Sequence, residues 1–558
     1  MKDLTTQFQV PPPSRGDPAS ESVGKSTTIR RVFGSVSAAC LFILLGAAFI
    51  PYAGVQNDEV IFVNPLYLFN PRGYTIGLFH RRVALMVLSY LGTLKTLLYI
   101  PILALFGANI WSLRLPMVLA GALTILVFFG LARRTTGLAA AVLGAFLLAS
   151  DASFILTDTF DWGPVAIEHF LLVTGCFFLV KFSQASAPGS RQINGRWNLF
   201  LGFFLFGLAL WNKAIFIWAL AGLFCAAIAV LWPEILRLLR PATAAIACAA
   251  FLAGALPLVI YNVRHPNVTA GDNVHFETNE FPRKFHMLLG TWDGSAMFGF
   301  LSGFDDQPNP KPAASLRGRA ADWIGAHTGR PRHDAMFFAF LLALLLVPWW
   351  WKSRTARFSL VFMCVTWLAM AITRDAGQSA HHSVLLWPFP QLFLAAVLAS
   401  LPWRKVAMTA GIALVAINLL VVNQTIADFE RNGALRNFSD AVFPLSKEFT
   451  DPAQPVVIVD WGITDVLSFL HQGHIALRNG EPPFKTDSPS EEDRKSIDWL
   501  LLADNPIFVT HVPGQENSPE IRPNLDRAAA ERGLHRELIK IVPDSNGRPI
   551  FEIFRFVK

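Results

Sequence analysis

Charge is scarce in this chain. Of 558 residues only 16% are Asp, Glu, Lys or Arg while 53% are hydrophobic, and the mean hydropathy is +0.42. Amphipathic patterning is missing as far as about residue 425, which excludes a string of soluble domains. Cysteine is rare too: Cys40, Cys176, Cys225, Cys248 and Cys364 all sit inside apolar runs. Their spacing excludes a cysteine metal cluster and leaves them as small core residues. No internal repeat is visible, which argues against a transporter built from repeated broken helices. No Gly-rich loop opens a helix, which argues against a nucleotide-phosphate cradle. The formal charge of +7 is spread over short loops rather than gathered on one soluble face, so no nucleic-acid partner is expected.

What is present in abundance is the apolar run of near twenty residues, the signature of a membrane-crossing helix. Residues 1–28, rich in Pro, Ser and Thr, read as a disordered cytoplasmic tail. Arg30 and Arg31 precede the run 32–53, which lacks a convincing small-residue cleavage site and is read as retained. The stretch Val83–Phe106 carries Lys95 in its middle. If it crossed the bilayer, Lys95 would cost about 2.5–3.5 kcal/mol and every later basic loop would fall outside. Read instead as interfacial helices on the outer surface, it leaves Arg133-Arg134, Lys181, Arg237 with Arg240, Lys352-Arg354-Arg357 and Arg404-Lys405 on the inner side, as the positive-inside bias requires.

The remaining spans are 115–132, 138–157, 163–181, 198–211, 214–232, 242–261, 335–351, 358–373, 382–400 and 405–424. With the first they make about eleven crossings. The N-terminus is then cytoplasmic, and residues 54–114, 262–334 and everything after 425 are external. The part from 426 to 558 reads as a soluble α/β domain. Strands are expected at 455–459, 507–510, 538–542 and 550–556, helices at 464–471 and from the Ser490 cap to 503, and a hairpin turn at Asp544-Ser545-Asn546-Gly547.

This topology gathers ionisable residues at one membrane face. Asp58 and Glu59 follow the first crossing; Asp158 and Asp161 end another helix; Lys95, Lys213, Arg264 and His381-His382 arrive from separate segments, and Arg81 lies in the cluster after Pro71. Charge at a membrane edge is expensive and tends to mark substrate sites. Acids beside several cations suit a reaction in which a carboxylate takes a proton from an acceptor hydroxyl while cations hold an anionic leaving group. A solvated loop or helix cap is the competing reading for Asp58-Glu59, interfacial snorkelling for Lys95, headgroup contact for Arg264 and a metal pair for the histidines.

The order of motifs resembles the GT-C glycosyltransferases of the protein O-mannosyltransferase and lipid A aminoarabinose transferase type over residues 30–425. The matching elements are Asp58-Glu59, Gly92-Thr93-Leu94-Lys95, Arg114-Leu115-Pro116 leading to Arg133-Arg134 and Gly137, Asp161, Gly207-Leu208-Ala209-Leu210-Trp211-Asn212-Lys213, and Leu385-Leu386-Trp387-Pro388-Phe389-Pro390. The chain departs from the family at Gln378-Ser379-Ala380-His381-His382, where relatives carry Lys and Tyr, and at Thr96-Leu97-Leu98, where they carry Pro-Pro-Leu.

The resemblance implies a polytopic α-helical GT-C-like membrane protein with a C-terminal α/β domain, its catalytic unit at 29–425. It implies inverting transfer of a sugar from a polyprenyl-phosphate carrier to an extracytoplasmic lipid, glycan or protein, at the inner (plasma) membrane, with no cofactor or divalent metal required. Asp58 is then the general base, Glu59 its orienting or acceptor-contacting neighbour and Asp161 a further acid. By matching position Lys95 and Lys213 are donor-phosphate or cavity ligands and Arg114 a structural partner of the first-loop acid; at the departure His381 and His382 take a lysine's place on the phosphate, and by their placement at the same face Arg264 is expected on the phosphate with Asp158 and Arg81 as supporting residues. The rival classes are a flippase of lipid-linked sugars and a non-catalytic subunit of cell-envelope assembly.

Overall fold

A computed structural model of the protein describes residues 18–67, 75–78, 81–186, 195–303, 310–502 and 505–558. Every apolar run read as a crossing is helical. The helices are Pro18–Phe49, Ile110–Thr135, Leu138–Ser150 with Ala152–Phe160, Val165–Ala185, Gly195–Asn212, Ile217–Leu238, Pro241–Arg264, Met336–Leu345 with Val347–Trp350, Arg354–Ala371, Ala380–Ser383 leading to Phe389–Ser400, and Arg404–Asn432. Among the described residues six helical stretches are long and apolar enough to cross a membrane, or seven if the pair bent by 59° after Ser150 is one span. The others are shorter, interrupted or less apolar. The chain is a multi-pass α-helical membrane protein.

Three boundaries differ from the sequence reading. The first helix begins at Pro18, so residues 18–28 are helical rather than disordered. The expected single span 138–157 is broken at Asp151, whose carboxylate caps the following helix by accepting from Phe154 N at 2.8 Å. A capping carboxylate inside an apolar run starts a new helix axis. The Arg404–Asn432 helix runs past residue 425 and ends at Gly433, whose φ of 64° closes the C-terminus.

The stretch after Pro71 is not a crossing. Strands β1 (Thr75–Leu78) and β2 (Arg81–Ala84) pair antiparallel. They lead through a loop to the Leu94–Phe106 helix, whose 13 residues span about 20 Å, short of a hydrocarbon core of about 30 Å.

The two ends of the bundle differ in chemistry. At one end Arg134 donates to Gln184 Oε1 at 2.9 Å, Thr355 donates to the Thr135 carbonyl at 3.2 Å, and Arg354 pairs with Glu234. The other end holds the loop after Ala53, the turns at 161–164 and 212–214, and the C-terminal domain.

That domain is a mixed sheet in the order β4-β3-β5-β7-β6. β3 (Val456–Ile458) is parallel to both β4 (Leu477–Asn479) and β5 (Ile507–His511), while β7 (Pro549–Val557) is antiparallel to β5 and to β6 (His535–Pro543). The helices Thr464–Leu470 and Glu491–Leu502 and the hairpin turn at 544–547 lie where the sequence placed them. β4 and the helix Ile521–Ala530 were not foreseen; β4 is three residues long, at a sheet edge and partly polar. The domain sits on the bundle: Thr464–Leu470 packs against Asn57–Val60, and Gly54 N donates to the Phe438 carbonyl at 2.8 Å.

Candidate active site

The loop after the first helix is built around a buried arginine. Arg114 has no exposed surface and spends all five guanidinium donors. Nε and Nη2 reach Glu59 at 2.7 and 2.9 Å, Nη1 reaches the carbonyls of Ile50 and Ala53 at 2.7 and 2.8 Å, and Nη2 also reaches that of Gly54 at 2.7 Å. Its plane lies over Phe160, 4.7 Å from the ring centroid. Glu59 also caps its own helix turn by accepting from Gln56 N, while Gln56 Oε1 accepts from Asp58 N at 2.6 Å and Glu59 N at 3.1 Å. Glu59, read from sequence as orienting the base or contacting the acceptor, is closed inside this framework.

Asp58, one residue earlier, is the reverse case. It makes no ion pair among the described residues, its carboxylate accepts only a 3.4 Å contact from Asn57 Nδ2, and it keeps partial exposure. Burial pushes its carboxyl above the ordinary range, against the opposing pull of Asn57, Lys213 and Gln56. A carboxylate raised in this way is a better proton acceptor.

Lys95 and Asp161 meet across 2.7 Å, both buried. Lys95 also donates to the Glu59 carbonyl at 3.0 Å and lies over Phe62. Asp161, in the left-handed region at φ 45°, accepts from Ala166 N at 2.9 Å at the start of the next helix. The pair ties the first loop to the third turn, which places Asp58 and Asp161 at the same end of the bundle. With these two contacts made, Lys95 has one of its three N–H groups left for a ligand.

Lys213 carries no such carboxylate contact. Its Nζ donates to the Gly163 carbonyl at 2.9 Å, leaving two of its three N–H groups for another acceptor. Burial pulls its pKa down to about 8, opposed by Glu168, Asp58 and Asp161. Two of the sequence motifs hold it in place. Gly92 N donates to the Asn212 carbonyl at 3.2 Å and Ala214 N to the Tyr90 carbonyl at 2.8 Å. A Cβ at Gly92 would stand 2.0 Å from the Trp211 carbonyl oxygen, so only glycine allows this approach. His381 joins Lys213 across Gly163: a Cβ there would lie 2.9 Å from Lys213 Nζ and 3.0 Å from His381 Cδ2. Gly163 also has φ 107°. Gly163→Ala is therefore expected to displace both side chains, costing about 1–3 kcal/mol of stability. Thermal unfolding checks it, and an unchanged midpoint would contradict the close packing of Lys213 and His381 on Gly163.

The other predicted residues separate. Asp158 is buried against His169, Oδ1 to Nδ1 at 2.9 Å, and His169 Nε2 donates to the Val384 carbonyl at 2.8 Å. Because a carbonyl only accepts, one ring proton is fixed on Nε2 and the pair shares the other. His381 Nδ1 is held by Ser379 Oγ at 2.8 Å, and its ring packs on Trp162 and on His382. His382 Nδ1 is buried with no hydrogen-bond partner among the described residues. Among those residues no group of three His, Cys, Asp or Glu side chains is arranged to hold a metal. Arg264 is exposed at the end of its helix rather than inside the cluster, and the side chain of Arg81 lies outside the described residues.

Sequence reasoning missed several members. Glu168 accepts from Asn212 Nδ2 at 2.7 Å beside Lys213; an acid and a histidine inside the run 165–185 were the available signal. Burial, with the charge of nearby Asp58 adding to it, pushes the Tyr90 hydroxyl up to about 12. Lys284 is fully buried and donates to the carbonyls of Ala371 and Thr373 at 3.1 and 2.5 Å. It underlies the turn carrying the two histidines, with its stem 3.8 Å from a Cβ built on Gly377. Nothing in the sequence pairs it with that turn.

A helical membrane bundle with acids and lysines gathered at one end, beneath a small α/β domain, has the fold of the GT-C glycosyltransferases. Residues 97–261 match the family model of dolichyl-phosphate-mannose-protein mannosyltransferase. In the solved structures the chain is similar to ArnT from Cupriavidus metallidurans in the apo state, with a TM-score of 0.57 at 12% identity over 95% of this chain and 98% of that one. The same protein bound to undecaprenyl phosphate gives 0.57 at 12% over 94% and 97%. The apo oligosaccharyltransferase of Archaeoglobus fulgidus gives 0.50 at 14% over 86% and 69%. No curated protein sequence matches the chain. At these identities the likeness is one of fold.

Proposed function

We propose that the protein is an inverting glycosyltransferase that moves a sugar from a polyprenyl-phosphate carrier to a hydroxyl-bearing acceptor on the extracytoplasmic side. The observation that carries this reading is the contrast among the acids: Glu59, Asp158 and Asp161 are each closed by a basic partner, whereas Asp58 is open. Asp58 takes the acceptor proton as the acceptor oxygen forms its bond to the anomeric carbon. The bond from that carbon to the phosphate oxygen breaks on the opposite face, and polyprenyl phosphate leaves with the electron pair. Lys213 and His381 receive the phosphate, the lysine as a cation and the imidazole as a hydrogen-bond donor. The neighbour bound to undecaprenyl phosphate supports a lipid-phosphate donor. The positively charged loops at the far end of the bundle support an extracytoplasmic site by the positive-inside bias.

Lys213 sets an alkaline limit. Its folded-state pKa of about 8 means that its charge is present below that pH and lost above it, so donor capture falls as pH rises through about 8. Asp58 acts on the other limb: it must be ionised, and kcat/KM rises as pH passes its elevated pKa. The profile of kcat/KM is expected to be bell-shaped, reporting the free enzyme. Lys213→Ala is expected to raise the donor KM about tenfold or more and to remove the alkaline limb. An unchanged donor KM with the limb intact would assign phosphate binding elsewhere.

A further inference from the structure

The backbone carbonyls from Leu368 to Thr373, where the Arg354–Ala371 helix ends, are all spent, two of them on a lysine from another segment. An α-helix leaves the carbonyls of its last turn without an intrahelical donor. Here Leu368 O accepts from Ile372 N at 3.1 Å, Ala369 O from Thr373 Oγ1 at 2.8 Å, Met370 O from Thr373 N at 3.1 Å and Ile372 O from Glu277 N at 2.9 Å. Ala371 O is left. Lys284 Nζ donates to it at 3.1 Å and to Thr373 O at 2.5 Å, which also accepts from Ala376 N at 3.3 Å.

The lysine comes from a buried face. Helix Phe281–Trp292 buries Lys284, Leu288, Thr291 and Trp292, a stripe at helical spacing in which Lys284 is the only charged member. It has no exposed surface, and no carboxylate is in an ion pair with it among the described residues: Glu280 and Asp375 face Arg283 and Arg374 instead, at 3.3 and 3.7 Å. Burying an ammonium is costly unless its donors are met, so the lysine and the two carbonyls hold each other in place. The backbone ties the same two segments together. Phe276 and Thr373 form an antiparallel bridge, and Arg374 N donates to the His275 carbonyl at 2.7 Å.

What this clamp supports is the turn that delivers His381. Asp375 and Gly377 stand at φ 60° and 74°, and the Lys284 stem lies 3.8 Å from a Cβ built on Gly377. Ser379 then opens the helical turn Ala380–Ser383. Its carbonyl accepts from His382 N at 3.0 Å and Ser383 N at 3.2 Å, and its Oγ meets His381 Nδ1 at 2.8 Å. His381 in turn stands beside Lys213 across Gly163. Lys284 is too deeply buried to touch a substrate, but its contacts sit at the root of the turn that carries the imidazole.

We propose that Lys284 is a positioning residue for donor capture: by clamping the Ala371 and Thr373 carbonyls it sets where His381 stands beside Lys213, and so how tightly the site takes a lipid phosphate. The effect on phosphate rests on the transferase reading; the effect on the turn does not. The competing role is a helix cap that adds stability alone. Two measurements on the full protein in detergent separate them. Backbone hydrogen exchange is expected to quicken across residues 374–383 in Lys284→Met, which keeps the stem and removes every donor, and less in Lys284→Gln, which keeps an N–H for one carbonyl. Binding of farnesyl phosphate, with farnesol as the uncharged control, is expected to weaken about tenfold in Lys284→Met. It is expected to change little further when Lys284→Met is added to His381→Ala, because the two substitutions act on one contact. Lys284→Gln carries the same comparison if Lys284→Met does not fold. Unchanged exchange at 374–383, farnesyl phosphate bound as tightly by the variant as by the unaltered protein, or the full tenfold loss on top of His381→Ala would each overturn the assignment. No preference of the unaltered protein for farnesyl phosphate over farnesol, with exchange still quickened in the variant, would instead overturn the donor-site reading and leave the clamp on the turn standing.

Discussion

Asp58→Asn is expected to lower turnover by about 10²–10⁴, the range that a positioned general base supplies, while leaving the protein folded and its donor KM nearly unchanged. The expectation comes from what Asp58 does not do. It is in no ion pair among the described residues, so removing its charge breaks no contact described there beyond a 3.4 Å approach from Asn57, and an amide of the same shape fits the Gln56 cap. Thermal unfolding in detergent should therefore give the same midpoint for both proteins. Single-turnover transfer should separate them, and near-normal turnover by the variant would make Asp58 a bystander.

Arg114→Lys is expected to have the opposite profile. A lysine offers three donors at a point where a guanidinium spends five, so it leaves Glu59 or the carbonyls of Ile50, Ala53 and Gly54 unmet in a buried site. Breaking a buried charged pair in this way costs about 3–5 kcal/mol. The unfolding midpoint should fall sharply, with activity lost through the fold rather than the chemistry. Glu59→Gln should be destabilising in the same direction, because it strands a buried cation. An unchanged midpoint for Arg114→Lys would remove the framework role argued for this pair.

These two variants also show where the sequence could be read and where it could not. The adjacency of Asp58 and Glu59 after an apolar run was visible, but their division of labour was not. It depends on Arg114, 55 residues further on, choosing one of two neighbouring acids. Lys95 could be placed at a membrane edge by its energetic cost, yet its engagement with Asp161 is a contact between loops on separate helices. The Gly92 and Lys213 motifs were each legible; that they pack on one another follows from the Gly92–Trp211 approach, which only the fold reveals. Apolar length found the helices read as crossings but not those of the 262–334 segment, such as Phe281–Trp292 and Leu316–Thr328, and it missed the break at Asp151 because a capping carboxylate counts as one polar residue in a hydropathy window. In the C-terminal domain alternation and turn residues revealed the long β6–β7 hairpin, while the three-residue β4 carried too short a pattern. Arg264 shows the reverse error: proximity to a helix end was taken as proximity to the site, and the side chain is exposed instead.

The measurement closest to the central claim is the fate of the donor. The purified protein, in nanodiscs with a panel of labelled polyprenyl-phosphate sugars and a membrane extract as acceptor, should release polyprenyl phosphate in equal amount to the glycosylated product, and NMR of that product should show an inverted anomeric centre. A product with retained configuration, or no release of polyprenyl phosphate from any donor in the panel, would contradict the account.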